Sequence, residues 1–230
     1  MKPRSITVAG ALVVILTAIG GFAGELYIGE YVEGAGLKKR ADLDLAIEIV
    51  NPTGLDVDLA VGQYKILIFA DGSTTPTASV VLSGNVEAGT AFVVVNAGAS
   101  PGLLALADLT SASLVFDGND VILLVRFQAP MRLDLPLDVI GQVGANVQCW
   151  SYPVDTCDSL ISTVDATVRR SGTYLGGVID PNAPFAFDPA MWQGVGEGNW
   201  QGLGIVGFGP LFADGFESGD MTEWSESTAP

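Results

Sequence analysis

From Asp42 to Leu59 the chain reads DLDLAIEIVNPTGLDVDL, with Leu43, Leu45, Ile47 and Ile49 on every second position between Asp44, Ala46 and Glu48. That two-residue period belongs to a half-buried strand, since a helix would spread the same residues around its circumference. Asn51-Pro52-Thr53-Gly54 interrupts the pattern, and Leu55-Asp56-Val57-Asp58-Leu59 resumes it. Pro52 cannot extend a hydrogen-bond ladder and Gly54 tolerates positive φ, so the stretch predicts strand, tight turn, strand.

The same grammar runs through the rest of the chain. Glu25–Val32 predicts a strand with Leu26, Ile28 and Val32 on one side and Tyr27 and Tyr31 on the other. Short apolar runs at Tyr64–Phe69, Ala78–Leu82, Ala91–Asn96 and Leu137–Val143 are separated by Gly, Asn, Ser, Thr and Pro. Asp117-Gly118-Asn119 between Ser113–Phe116 and Asp120–Arg126 predicts a hairpin. Ser100-Pro101-Gly102 before LLALADL supplies an N-cap residue and an N1 proline, so a two-turn helix is expected there. The fold class that follows is all-β, an antiparallel sandwich with one short helix.

Several of these stretches resemble one family in the same order along the chain. EIVNPTGLDVDL, IGEYVEG, DGSTTPTASVVLSG, FDGND, DVIGQVG, Thr167-Val168-Arg169-Arg170 and the aromatic, glycine-rich PFAFDPAMWQGVGEGNWQGLG are similar to the lamin-tail domain. The likeness spans about Glu25 to Gly204. It implies an immunoglobulin-like β-sandwich of the secreted bacterial type, generally a non-catalytic module that binds or tethers, sometimes attached to nucleases or phosphatases.

The ends are of different character. Lys2 and Arg4 precede the uncharged ITVAGALVVILTAIGGFA, which closes on Gly21 and Ala23. Residues 1–23 are therefore expected to be a signal peptide cleaved after Ala23, with an uncleaved anchor helix as the alternative. Residues 24–207 form the expected sandwich domain, and 208–230 an acidic tail. Within the tail DGFESGDMTEWS resembles a C-terminal motif of proteins exported by some Gram-negative bacteria. Secretion or a place on the bacterial cell surface is the expected localisation, with no membrane contact beyond the N-terminal segment.

Composition narrows the chemistry. Among the 230 residues are 10 Lys and Arg, 26 Asp and Glu and no His, a net charge of −16. Loss of residues 1–23 removes Lys2 and Arg4 and leaves a balance of −18. Such a surface repels phosphate backbones, so nucleic acid is not the expected partner unless Lys38, Lys39, Arg40, Arg169 and Arg170 gather on one face. Without histidine there is no Ser-His-Asp or Cys-His machinery, and the commonest transition-metal ligand is missing.

Four groups of residues invite specific expectations. Cys149 and Cys157 close a short loop containing Pro153 and are expected to form a disulfide in an exported chain. Arg169 and Arg170 could contact an anion or pair with internal carboxylates. Trp192 and Trp200 could stack on a ligand or plug the end of the sandwich, as could Phe185 and Phe187 beside them. Asp117, Asn119 and Asp120 offer oxygen ligands to a hard cation such as calcium, but they lack the spacing of a recognised calcium loop, and turn chemistry is the expected role.

The expected function is an exported, non-enzymatic β-sandwich binding an extracellular or envelope component, with no cofactor apart from a conceivable calcium ion. The alternatives are an accessory module of an extracellular nuclease or phosphatase system, and a hydrolase built from carboxylates. Against the hydrolase, the acids fall at alternating strand positions and turns, where solvent exposure is expected. Ligand identity and oligomeric state are not encoded in any motif.

Overall fold

The structure is a computed structural model that describes residues 25–34, 43–129, 131–171 and 176–206. The expected signal peptide, the Lys38-Lys39-Arg40 run and the acidic tail lie outside the described residues. In chain order the first strands are β1 (Tyr27–Val32), β2 (Ala46–Val50), β3 (Val57–Asp58), β4 (Tyr64–Phe69), β5 (Ala78–Val81), β6 (Asn85–Val86) and β7 (Ala91–Asn96). The helix α1 (Pro101–Leu104) follows, then β8 (Leu109–Ser111), β9 (Val121–Gln128), β10 (Leu133–Ile140), β11 (Ser151–Tyr152), β12 (Ile161–Ser162), β13 (Thr167–Arg170) and β14 (Trp192–Gly196).

These strands build an all-β sandwich. One sheet has the order β14-β13-β1-β2-β7-β8 and the other β10-β9-β4-β5, with two small two-stranded sheets, β11-β12 and β3-β6, beside them. All pairings are antiparallel except β7 with β8. Among the described residues no helix is long and apolar enough to cross a membrane.

The alternation read in the sequence sorts side chains between two cores. Ile47, Ile49, Phe92 and Val94 face the main core with Ile66, Ile68, Ile122 and Leu124 from the opposite sheet. Their neighbours Ala46, Val93 and Val95 join Leu103 of α1 and Leu203 in a second cluster on the far side of the larger sheet. A strand covered on both faces buries its polar positions too, which is why β2 is buried throughout.

Four expectations need correction. β2 and β3 do not form a hairpin: β2 pairs with β1 and β7, and β3 with β6. Asn51 is the reason, because its Nδ2 donates to the carbonyls of Leu55, Val86 and Glu87 at 2.9, 2.9 and 3.1 Å and steers the chain out of the sheet. In β1, a bulge between Ile28 and Glu30 inserts Gly29 and shifts the register. Ile28 and Tyr31 therefore share the main core, and Val32 faces the other cluster. A side chain at Gly29 would run into Glu48 and Val50. The Asp117-Gly118-Asn119 turn forms, with Asp120 N–H donating to the Asp117 carbonyl at 2.9 Å, but residues 113–116 are not a strand. β9 pairs with β4 and β10 instead. Finally, α1 is a single turn, and Ser100 at its N-cap makes no side-chain cap bond.

Candidate functional site

Arg170 sits at the end of β13 and Asp138 within β10, so each belongs to a different sheet. Arg170 Nη2 donates to Asp138 Oδ2 at 2.5 Å, with both side chains essentially inaccessible. The end of the β1–β13 ladder explains their company. β13 pairs with β1 only from Glu30 onward, which leaves Ile28 beyond the ladder. Ile28 N–H donates to Asp138 Oδ2 at 2.8 Å, and the Ile28 carbonyl accepts from Arg170 Nε at 2.9 Å. Asp138 Oδ1 further accepts from the amides of Val139 and Val178. Burial raises the Asp138 carboxyl above the ordinary aspartate range, opposed by the Arg170 charge and these donors.

Arg169 points to the other face of β13. Its Nε and Nη2 donate to the two carboxylate oxygens of Glu30, at 2.5 and 3.1 Å. Gly202 lies directly over the guanidinium, where a larger residue would collide with it. Beside this pair, Glu48 Oε2 accepts the Gly204 amide at 2.7 Å. Burial pushes Glu48 up to about 8, opposed by the Gly204 amide and reinforced by the Glu30 charge. The arginines singled out as anion contacts are thus engaged with carboxylates of the chain itself.

Four aromatic residues form a line against the main core. Trp150, Phe185, Phe187 and Trp192 meet edge to face in succession, with centroid distances of 5.7, 5.1 and 5.1 Å. Trp192 is buried, and the Arg170 guanidinium lies 4.3 Å from its ring centroid. Trp200 is half-buried and packs on the second cluster, away from Trp192. The two tryptophans do not share a stacking platform.

In the FDGND turn, Asp117 is exposed, Asn119 half-buried and Asp120 buried. The two oxygens of Asp120 accept the amides of Asp71 and Asp117, each at 3.0 Å, and Asn119 Nδ2 donates to Asp71 Oδ1 at 3.3 Å. Burial raises Asp120 to about 6. Next to the turn, buried Glu33 accepts from the Asp165 amide at 3.2 Å and is pushed by burial up to about 8. Among the described residues no group of three His, Cys, Asp or Glu is arranged to hold a metal ion.

Cys149 and Cys157 form the disulfide, with their Cα atoms 5.7 Å apart. The bridged loop contains β11, which pairs with β12 just beyond Cys157. Tyr152 and Val154 stand out from the loop, and Leu160 from the turn that follows it, with exposures of 44, 60 and 72 %. No family model and no curated protein matches the chain.

Sequence reasoning missed the acids at the centre of this arrangement. Glu30, Glu33, Glu48 and Asp138 are all buried, which corrects the expectation that acids at strand positions face solvent. Glu48 gave a signal in the unbroken apolar run around it, AIEIV, where a lone acid in a doubly covered strand needs a partner. Asp138 in LDVIGQV gave the same one.

Proposed function

We propose that the protein is an exported, non-catalytic β-sandwich module of the lamin-tail type that binds a component of the bacterial cell surface or its surroundings. The observation that carries this reading is the disulfide-clamped loop. A disulfide is characteristic of an oxidising compartment, in keeping with the signal-like residues 1–23. The same bridge limits the motion of a loop that exposes Tyr152 and Val154, with Leu160 exposed three residues beyond it, and exposed apolar side chains on and beside a constrained loop suit recognition. The polar residues that looked most chemical, Arg169, Arg170 and Asp120, have their hydrogen bonds within the protein. A binding role is therefore preferred to a hydrolytic one.

The test is retention of the labelled protein on intact cells and on envelope vesicles of a Gram-negative bacterium, compared with a Tyr152→Ser, Val154→Ser, Leu160→Ser variant. Expected is at least a tenfold loss of retention in the variant, roughly the cost of removing anchor side chains from an interface. Equal retention by the two proteins, or turnover of ester, glycan or nucleotide substrates by the unmodified chain, overturns the reading.

A further inference from the structure

The smaller sheet ends in β5, and no other described strand pairs with the outer side of Ala78–Val81. Its inner side is fixed by the ladder to β4. Val80 lies opposite Ile66 and Val81 opposite Lys65, and the Leu82 amide donates to the Tyr64 carbonyl at 3.0 Å. Backbone groups in an antiparallel ladder alternate in direction, so Leu82 and Val80 turn theirs toward β4. The amides and carbonyls of Ser79 and Val81 therefore point away from the sheet. Both side chains are exposed as well, Val81 to 68 %.

Open strand edges invite pairing, and folded chains commonly guard them with charge, cover or brevity. The other outer strands are guarded. Gly177 crowds the Leu137 carbonyl on β10, which also carries Asp134, and the Leu160 carbonyl crowds Gly194 on β14. β8 is three residues long and follows Asp108. Around β5, by contrast, no residue between Asp71 and Glu87 is charged. With a net charge of −16, two copies of the chain repel each other over most of their surface, and an uncharged edge is where they can meet. We propose that β5 pairs with β5 of a second copy, antiparallel about a two-fold axis at Val80, joining the two smaller sheets into one. Ser79 of each copy then lies opposite Val81 of the other, and each such pair exchanges both of its N–H···O bonds. A self-complementary edge closes into a dimer and leaves no open end. β5 shares no residue with the disulfide-clamped loop, so failure here leaves the surface-binding reading untouched.

Sedimentation of the full chain from about 10 µM to about 1 mM, at about 0.15 M salt, tests the assignment. The mass is expected to rise with concentration from one chain toward two. The Ser79 and Val81 amides should exchange with solvent roughly tenfold or more slowly at the upper concentration than at the lower. Val81→Pro removes an outward amide while sparing the β4 ladder, and should weaken association roughly tenfold or more. Charged forms give a second measure should that variant fail to fold. Ser79→Asp, Val81→Asp and Ser79→Lys, Val81→Lys should each remain single chains alone and associate when mixed, because acid then faces base across the pair. A single chain at every concentration, association of Val81→Pro equal to the parent's, or charged forms that do not combine on mixing overturns the proposal.

Discussion

Asp138 and Arg170 join the two sheets through a contact in which Oδ2 of the first takes a hydrogen bond from Nη2 of the second at 2.5 Å, with neither side chain reaching solvent. The pair also completes the backbone of Ile28, whose amide and carbonyl are bonded to Asp138 and Arg170. It therefore supplies the Ile28 backbone with partners where the β1–β13 ladder has already ended at Glu30.

Removing one member strands the other. Asp138→Ala leaves a buried guanidinium without its carboxylate and the Ile28 and Val178 amides without an acceptor. The expected loss is about 3–5 kcal/mol in urea denaturation, the usual cost of breaking a buried pair from one side. The double variant Asp138→Leu, Arg170→Leu should lose less than the two single changes together. Additive losses would show that the two residues act independently.

Asn51 makes a comparable case in neutral form. It is fully buried and donates to three carbonyls from two separate loops, while its Oδ1 accepts from Thr53. Asn51→Ala leaves those carbonyls unpaired, at a cost of about 2 kcal/mol or more. Asn51→Asp should fare as badly, because a carboxylate places acceptors against acceptors. Thermal melting of both variants against the parent measures this, and melting temperatures within a degree or so of the parent would contradict it.

How much could be read beforehand follows from where each constraint comes from. The alternation of Leu45, Ile47 and Ile49 is local, and it placed β2 and its inward face correctly. The failure at β3 is equally physical. NPTG is a good turn in isolation, but Asn51 is held by Val86 and Glu87, which are far along the chain. The aromatic closing segment signalled a packed cluster through Phe185, Phe187 and Trp192, and the cysteine spacing signalled a bridge. The buried acids were hidden because their cover is remote. Glu48 is capped by Gly204 and Glu30 is matched by Arg169, contacts that no window of the sequence contains.

The bridge itself carries a measurable share of stability. Cys149 and Cys157 are eight residues apart, and closing so short a loop removes entropy from the unfolded chain worth about 2–3 kcal/mol. Cys149→Ser, Cys157→Ser should lower stability by that amount while far-ultraviolet dichroism still shows a β-rich fold, since the sandwich strands lie outside the loop. Collapse of the β signal in the variant would mean that the loop is required for folding itself.

Glu48 gives the pH dependence its direction. Its carboxyl titrates at about 8 in the folded chain against an ordinary value of 4.5, chiefly because it is buried. Below about 4.5 both folded and unfolded chains hold the proton, and the group contributes no penalty. As the pH rises from there, the unfolded chain releases its proton while the folded chain keeps it, so stability falls until the folded group also ionises near 8. Glu33, raised to about 8 by its own burial, adds a slope of the same sign. Glu48→Gln keeps an oxygen to accept the Gly204 amide but cannot ionise. Its urea midpoint should match the parent's near pH 4.5 and exceed it at pH 8, so that the gap widens with pH. Parallel curves for the two proteins would place the Glu48 carboxylate in contact with water, and the strap formed by residues 202–204 would then have to stand off from the sheet.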